Sequence, residues 1–135
     1  MASITIPNFT VAAAIFNNRE KILIVSGLDQ IQWWLPGGDL FQGEEEENGL
    51  RRMISDQLSG TKIHINDGIP PIVLEYKEEK RTYKMFLCSS DGRVYSPSGR
   101  LNAAEFVNYN QLQKYNVLDM PKLALSRLRK GRSFC

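Results

Sequence analysis

The sequence predicts one α/β domain, a sheet sandwiched with helices, and three observations carry that prediction. Short apolar, partly β-branched runs recur before and after a single central stretch of helical periodicity. A second helical stretch closes the chain. At 135 residues, with 42% hydrophobic and 24% charged side chains, the chain has the size and balance of a single hydrophobic core, residues 1–135 forming one domain.

Taken in order, residues 9–16 read as a strand, and Asn17-Asn18-Arg19-Glu20 as a turn. Residues 21–26, with Ile22, Leu23, Ile24 and Val25, form the second arm of a hairpin. Residues 31–35 make a short third strand that Pro36-Gly37-Gly38 ends. Residues 45–58 are helical, because Leu50, Ile54 and Leu58 repeat every fourth position on one stripe. The acidic residues at its start suit a helix N-terminus, and Ser59-Gly60 is a left-handed stop. Residues 61–65 are a strand, followed by loop through Asn66-Asp67-Gly68 and Pro70-Pro71. Residues 72–77 and 81–89 are strands joined by the turn Glu78-Glu79-Lys80. Turns fall at Asp91-Gly92 and Ser96-Pro97-Ser98-Gly99, a last strand at 104–109 and a short helix at 110–115. Residues 119–130 form the second helix, capped by Asp119, with Pro121 in its first turn.

The net charge of +2 is too small to imply nucleic-acid binding by itself. The basic tail Arg127-Leu128-Arg129-Lys130-Gly131-Arg132 reads as a solvated helix end, with contact to phosphates as its alternative. Two cysteines make no disulfide framework, which points to a reducing, cytoplasmic setting. No apolar run reaches the roughly 20 residues that cross a bilayer, so no membrane association is expected. The first residues lack a basic segment followed by an apolar core, so no secretory leader is expected either.

One stretch is richer in chemistry than the rest: Trp34-Leu35-Pro36-Gly37-Gly38-Asp39-Leu40-Phe41-Gln42-Gly43-Glu44, running into four consecutive glutamates. Glycine pairs let a backbone approach a ligand, and nearby carboxylates suit a hard cation held against phosphate. Gly38, Glu44, Arg52 and Ile54 fall at the spacing of the Nudix box, which this stretch resembles. The segment Glu105-Phe106-Val107-Asn108-Tyr109-Asn110-Gln111-Leu112 is similar to that family's aromatic strand and short helix, so the likeness spans the chain. It implies an α/β/α sandwich with a mixed sheet. It also implies a hydrolase acting on the pyrophosphate of a nucleoside-diphosphate-like substrate, with Mg2+ or Mn2+ bridging the phosphates. A nucleotide-type small molecule is then the expected partner, and a homodimer one possible assembly.

Residue by residue, the resemblance gives Glu44, Arg52 and Asp56 catalytic or positioning roles. It gives Gly37 and Gly38 to substrate, and Gly38, Asp56 and Glu105 to metal; Trp34 joins the substrate set as a pocket-facing strand residue, and Glu47 the metal set as a nearby acid that can swing in. In the family a glycine carbonyl of this loop touches the cation. The box departs from its pattern where it matters most. Met53 replaces one glutamate, Asp56-Gln57 replace a Glu-Glu pair, and Ser59-Gly60 shift the closing glycine by one place. At about 100° per residue, Met53 and Gln57 lie beside the Leu50–Ile54 stripe, so Met53 widens the apolar face. Methionine is a poor ligand for magnesium, and glutamine offers no charge and no base. Two readings therefore stand together: a hydrolase weakened at its metal site, and a catalytically inactive module that binds a nucleotide or a protein.

Single aromatic, histidine and acidic residues carry plainer alternatives. Trp33 and Trp34 face opposite ways in a strand, one to the core and one toward a pocket. Tyr83, Phe86 and Tyr109 read as core or sheet surface, and His64 as a surface residue. Glu45, Glu46 and Glu47 read as a solvated helix start before they read as ligands.

Overall fold

A computed structural model of the chain describes residues 5–27, 31–90, 96–98 and 101–130. Eight strands form one mixed sheet: β1 (Thr5–Phe16), β2 (Ile22–Ser26), β3 (Trp33–Trp34), β4 (Gly37–Phe41), β5 (Ile63–Ile65), β6 (Ile72–Tyr76), β7 (Arg81–Ser90) and β8 (Ala103–Val107). The main path runs β3-β2-β1-β7-β5, with β4 also pairing β1, β6 pairing β7 and β8 pairing β2. The central pair, β1 with β7, is parallel from Phe9 opposite Thr82 to Phe16 opposite Ser89, and the others within the sheet are antiparallel. Helix α1 (Glu46–Gln57) covers one face. Helix α2 (Asp119–Lys130) and a 3-10 turn at Tyr109–Lys114 cover the other.

Strand periodicity sorts the core into two layers. Along β1, Val11, Ala13 and Ile15 pack toward Leu50, Met53, Ile54 and Leu58 of α1. Ala12 and Ala14 point the other way, toward Ala124, Leu125 and Leu128 of α2. Buried on both faces, β1 has to be apolar at every central position, and it is. Helix α1 stops where expected. Ser59 and Gly60 take positive φ of 46° and 86°, and the Gly60 N–H donates to the Ser55 carbonyl at 2.7 Å.

One expectation is corrected. The third strand does end before Pro36, but Gly37 and Gly38 are not a turn, because they begin β4 and pair with Ala12 and Val11. The cause is the missing side chain. A Cβ on Gly37 would strike the Val11 carbonyl oxygen and come within 2.7 Å of the Ala12 Cα, so only glycine lets these two backbones lie this close. The turn expected at Asp91-Gly92, Gly99, and the tail beyond Lys130 lie outside the described residues.

Candidate ligand cleft

The loop that enters α1 is fixed by a fork. Arg52 donates through Nε to Glu44 Oε2 at 2.8 Å and through Nη2 to Oε1 at 2.9 Å. The Phe41 N–H also donates to Glu44 Oε1, at 3.1 Å, and the guanidinium lies 4.0 Å from the centre of the Phe41 ring. The hydrogen bonds from Arg52, and then that from Phe41, hold the Glu44 carboxyl below the usual carboxylate range. Gly49 makes room for the pair, since a Cβ there would press on Leu40 and come within 2.9 Å of Glu44 Oε1. Glu44 and Arg52 thus lock residues 41–44 onto α1.

Gln57 acts on the other end of β4. Its Oε1 accepts from the Gly37 N–H at 3.2 Å, and its Nε2 donates to the Gly37 carbonyl at 2.7 Å. Among the described residues, strand β4 pairs with β1 alone, so its far edge would otherwise present bare peptide groups. The carboxamide satisfies one donor and one acceptor there as a neighbouring strand would. Met53 is buried beneath the same loop, its sulfur 3.4 Å from where a Gly38 Cβ would stand.

The residues present do not fit a divalent cation. Met53 offers sulfur inside an apolar layer, and the single side-chain oxygen of Gln57 is committed to Gly37. Asp56 is exposed, and its backbone carbonyl accepts a short hydrogen bond from Ser98 Oγ. Glu47 pairs with Arg51 one turn along at 3.8 Å. Glu105 lies on β8, where it accepts from the Tyr115 hydroxyl at 2.8 Å. Among the described residues, no three or more histidine, cysteine or acidic side chains gather closely enough to hold a metal. The structure therefore brings Glu44 to Arg52 and Gln57 to Gly37, and leaves Asp56, Glu47 and Glu105 uncombined.

Gly37 and Gly38 also line a cleft of about 740 Å³ between the sheet and the start of α2. Trp34, Leu35, Tyr76 and Tyr83 form much of its wall, with Met120 and Pro121 across from them. Trp33, its neighbour, turns into the core and meets the Tyr115 ring edge-on at 5.3 Å. Four charged residues line the cleft: Asp39, Glu79, Asp119 and Arg81. Asp39 accepts from the Thr10 hydroxyl at 3.1 Å, and Arg81 stands 3.9 Å from Glu79. Tyr83 is 5% exposed, and its hydroxyl has no hydrogen-bond partner among the described residues. Burial raises its pKa well above the ordinary phenol value, so it remains a neutral donor. Sequence reading puts Tyr83 in the core or on the sheet surface, which its burial bears out, and gives no site role to Arg81 or the start of α2. The one available signal was that Arg81 and Tyr83 stand two apart in a strand and so share a face.

No protein-family model matches the sequence, and no curated protein is significantly similar to it. Solved structures do match its fold. An ADP-ribose pyrophosphatase from Streptococcus suis is 22% identical with a TM-score of 0.71, the match covering 96% of each chain. A UDP-X diphosphatase is 20% identical with a TM-score of 0.75, over 96% of this chain and 64% of that one. A Nudix hydrolase from Nitrosomonas europaea is 20% identical with a TM-score of 0.62, over 93% of this chain and 90% of that one. The chain has the Nudix hydrolase fold, an α/β architecture shared with pyrophosphatases at low sequence identity. No helix among the described residues is long and apolar enough to cross a membrane.

Proposed function

We propose that this chain is a binding module on the Nudix fold. It takes a nucleotide-type ligand in the cleft beside Gly37 and Gly38, and it does not turn that ligand over by cation-assisted pyrophosphate hydrolysis. The carrying observation is the Gln57 carboxamide closed on the Gly37 peptide, beside a buried Met53. Attack of water on a diphosphate needs its charge neutralised and the water oriented, which divalent cations do when carboxylates hold them. Here one of the three box positions is a thioether in the core, one is an engaged amide, and Asp56 alone keeps a carboxylate. A nucleotide-type ligand is supported by the aromatic wall at Trp34 and Tyr76 and by the fold shared with enzymes named for ADP-ribose and UDP-X.

The retained Glu44–Arg52 fork favours the hydrolase as the second reading, because it keeps the loop in working shape. Formation of AMP and ribose 5-phosphate from ADP-ribose, and of UMP and sugar 1-phosphate from UDP-sugars, with magnesium and with manganese, separates the two. The binding module predicts no turnover by the natural chain, with ligand binding intact. Turnover that Asp56→Ala abolishes would overturn it. A Met53→Glu/Gln57→Glu variant that gains cation-dependent turnover would support it, because the loss would then trace to these two positions.

A further inference from the structure

The charge around the cleft sits awkwardly with a diphosphate. Among the described residues, Asp39, Glu79 and Asp119 line it against a single cation, Arg81, which already stands near Glu79. Arg52 is committed to Glu44, and Lys84 to Glu46 at 2.6 Å. The N-terminus of α2 opens on the cleft with its partial positive charge, but Asp119 in the first turn already answers that. On the other side, Gly37 has its N–H and carbonyl taken by Gln57, so neither is offered to a phosphate or to a cation bridging one. What remains is an aromatic enclosure and one buried hydroxyl, that of Tyr83, without a partner among the described residues. An orphaned buried hydroxyl is costly unless something completes it.

Resting on the binding-module reading, we infer that the cleft recognises the uncharged nucleoside end of its ligand and discriminates against the phosphates. Tyr83 supplies the polar contact that reads the ligand. Trp34 and Tyr76 offer apolar ring faces, and every planar base has a face to lay on them. The acidic lining repels each added phosphate, because three carboxylates face it against Arg81 among the described lining residues.

Titration calorimetry on the whole chain tests this, with adenosine and uridine, their 5′-monophosphates, ADP-ribose and UDP-glucose, in EDTA and in magnesium. The expected order is nucleoside, then monophosphate, then diphosphate, the last weaker than the first by about tenfold, with nucleoside affinity indifferent to magnesium. Tyr83→Phe is expected to weaken nucleoside binding about fivefold without lowering thermal stability, since it deletes an unpaired hydroxyl. Asp39→Asn is expected to narrow the gap between nucleoside and diphosphate. A diphosphate that binds as tightly as its nucleoside in EDTA overturns the inference but leaves the binding module standing. A diphosphate that binds only with magnesium, and then as tightly as its nucleoside, likewise overturns the inference alone, whereas failure of every compound to bind overturns both. Nucleoside affinity unchanged in Tyr83→Phe overturns the role given to that hydroxyl.

Discussion

Replacing Gln57 with glutamate tests the clasp on Gly37 directly. The change removes one donor and alters almost nothing in size. Glutamate keeps an oxygen for the Gly37 N–H at 3.2 Å, but it brings an acceptor to the Gly37 carbonyl now bonded at 2.7 Å. Losing that hydrogen bond and leaving a part-buried carbonyl unpaired costs about 2 kcal/mol. For a domain of this size, that lowers Tm by roughly 6 °C. Urea and thermal unfolding at several pH values supply the assay. The carbonyl disfavours the charged form, so the new glutamate should have a raised folded-state pKa. Its penalty is then full at neutral pH and fades as pH falls through that pKa, because the protonated acid regains a donor. A Gln57→Glu protein equal in stability to the parent from pH 4 to pH 8 would refute the clasp, and with it the account of the closed glycine.

Three further outcomes follow from the same geometry. Gly37→Ala drives a Cβ into the Val11 carbonyl of β1 and should cost about 3 kcal/mol or more, read by urea unfolding, because the obstacle is backbone. Glu44→Gln should lose to the parent at pH 7. Because the Glu44 folded pKa is lowered from 4.5, chiefly by the Arg52 hydrogen bond, that gap should close as pH falls below about 4.5 and through the depressed value, measured as unfolding midpoints against pH. Cys88 is buried and its pKa is pushed up to about 12 by desolvation, so iodoacetamide should leave it unmodified in the folded protein at pH 8 and label it in urea, read by peptide mass spectrometry.

The sandwich was legible because its signals are local and periodic. The continuous apolar run in residues 9–16, the Leu50–Ile54–Leu58 stripe and the Ser59-Gly60 stop each declare their element without reference to the rest of the chain. Strand β4 was not legible, because two glycines carry no hydrophobic pattern. Their pairing with Ala12 and Val11 depends on how closely two backbones approach, which the sequence expresses only as a missing side chain. The importance of Glu44 and Arg52 was legible through the resemblance, which assigns both positions, and the structure joins them in the fork. The cleft was not, since its walls come from β1, β3, β4, β6, β7 and the start of α2, and no local pattern joins them. Nor could spacing reveal that Gln57 reaches twenty residues back to the Gly37 peptide.

That long reach explains how the fold can keep its loop without an ion. A glycine carbonyl at a strand edge needs a positively polarised partner when it is shielded from water, and a cation or an N–H can each supply one. Gln57 carries such an N–H on α1, where Ile54 and Leu58 anchor the helix in the core, so the partner arrives with folding rather than from solution. The loop should then be preorganised in the metal-free protein. A cation that bound the native state would raise its stability by RT ln(1 + [L]/Kd). Thermal unfolding in EDTA and in about 10 mM magnesium should therefore agree within about 1 °C, which places any dissociation constant near or above that concentration. A rise of several degrees with magnesium that Asp56→Ala removes would mean a cation does settle on α1, and that the amide yields its place to it.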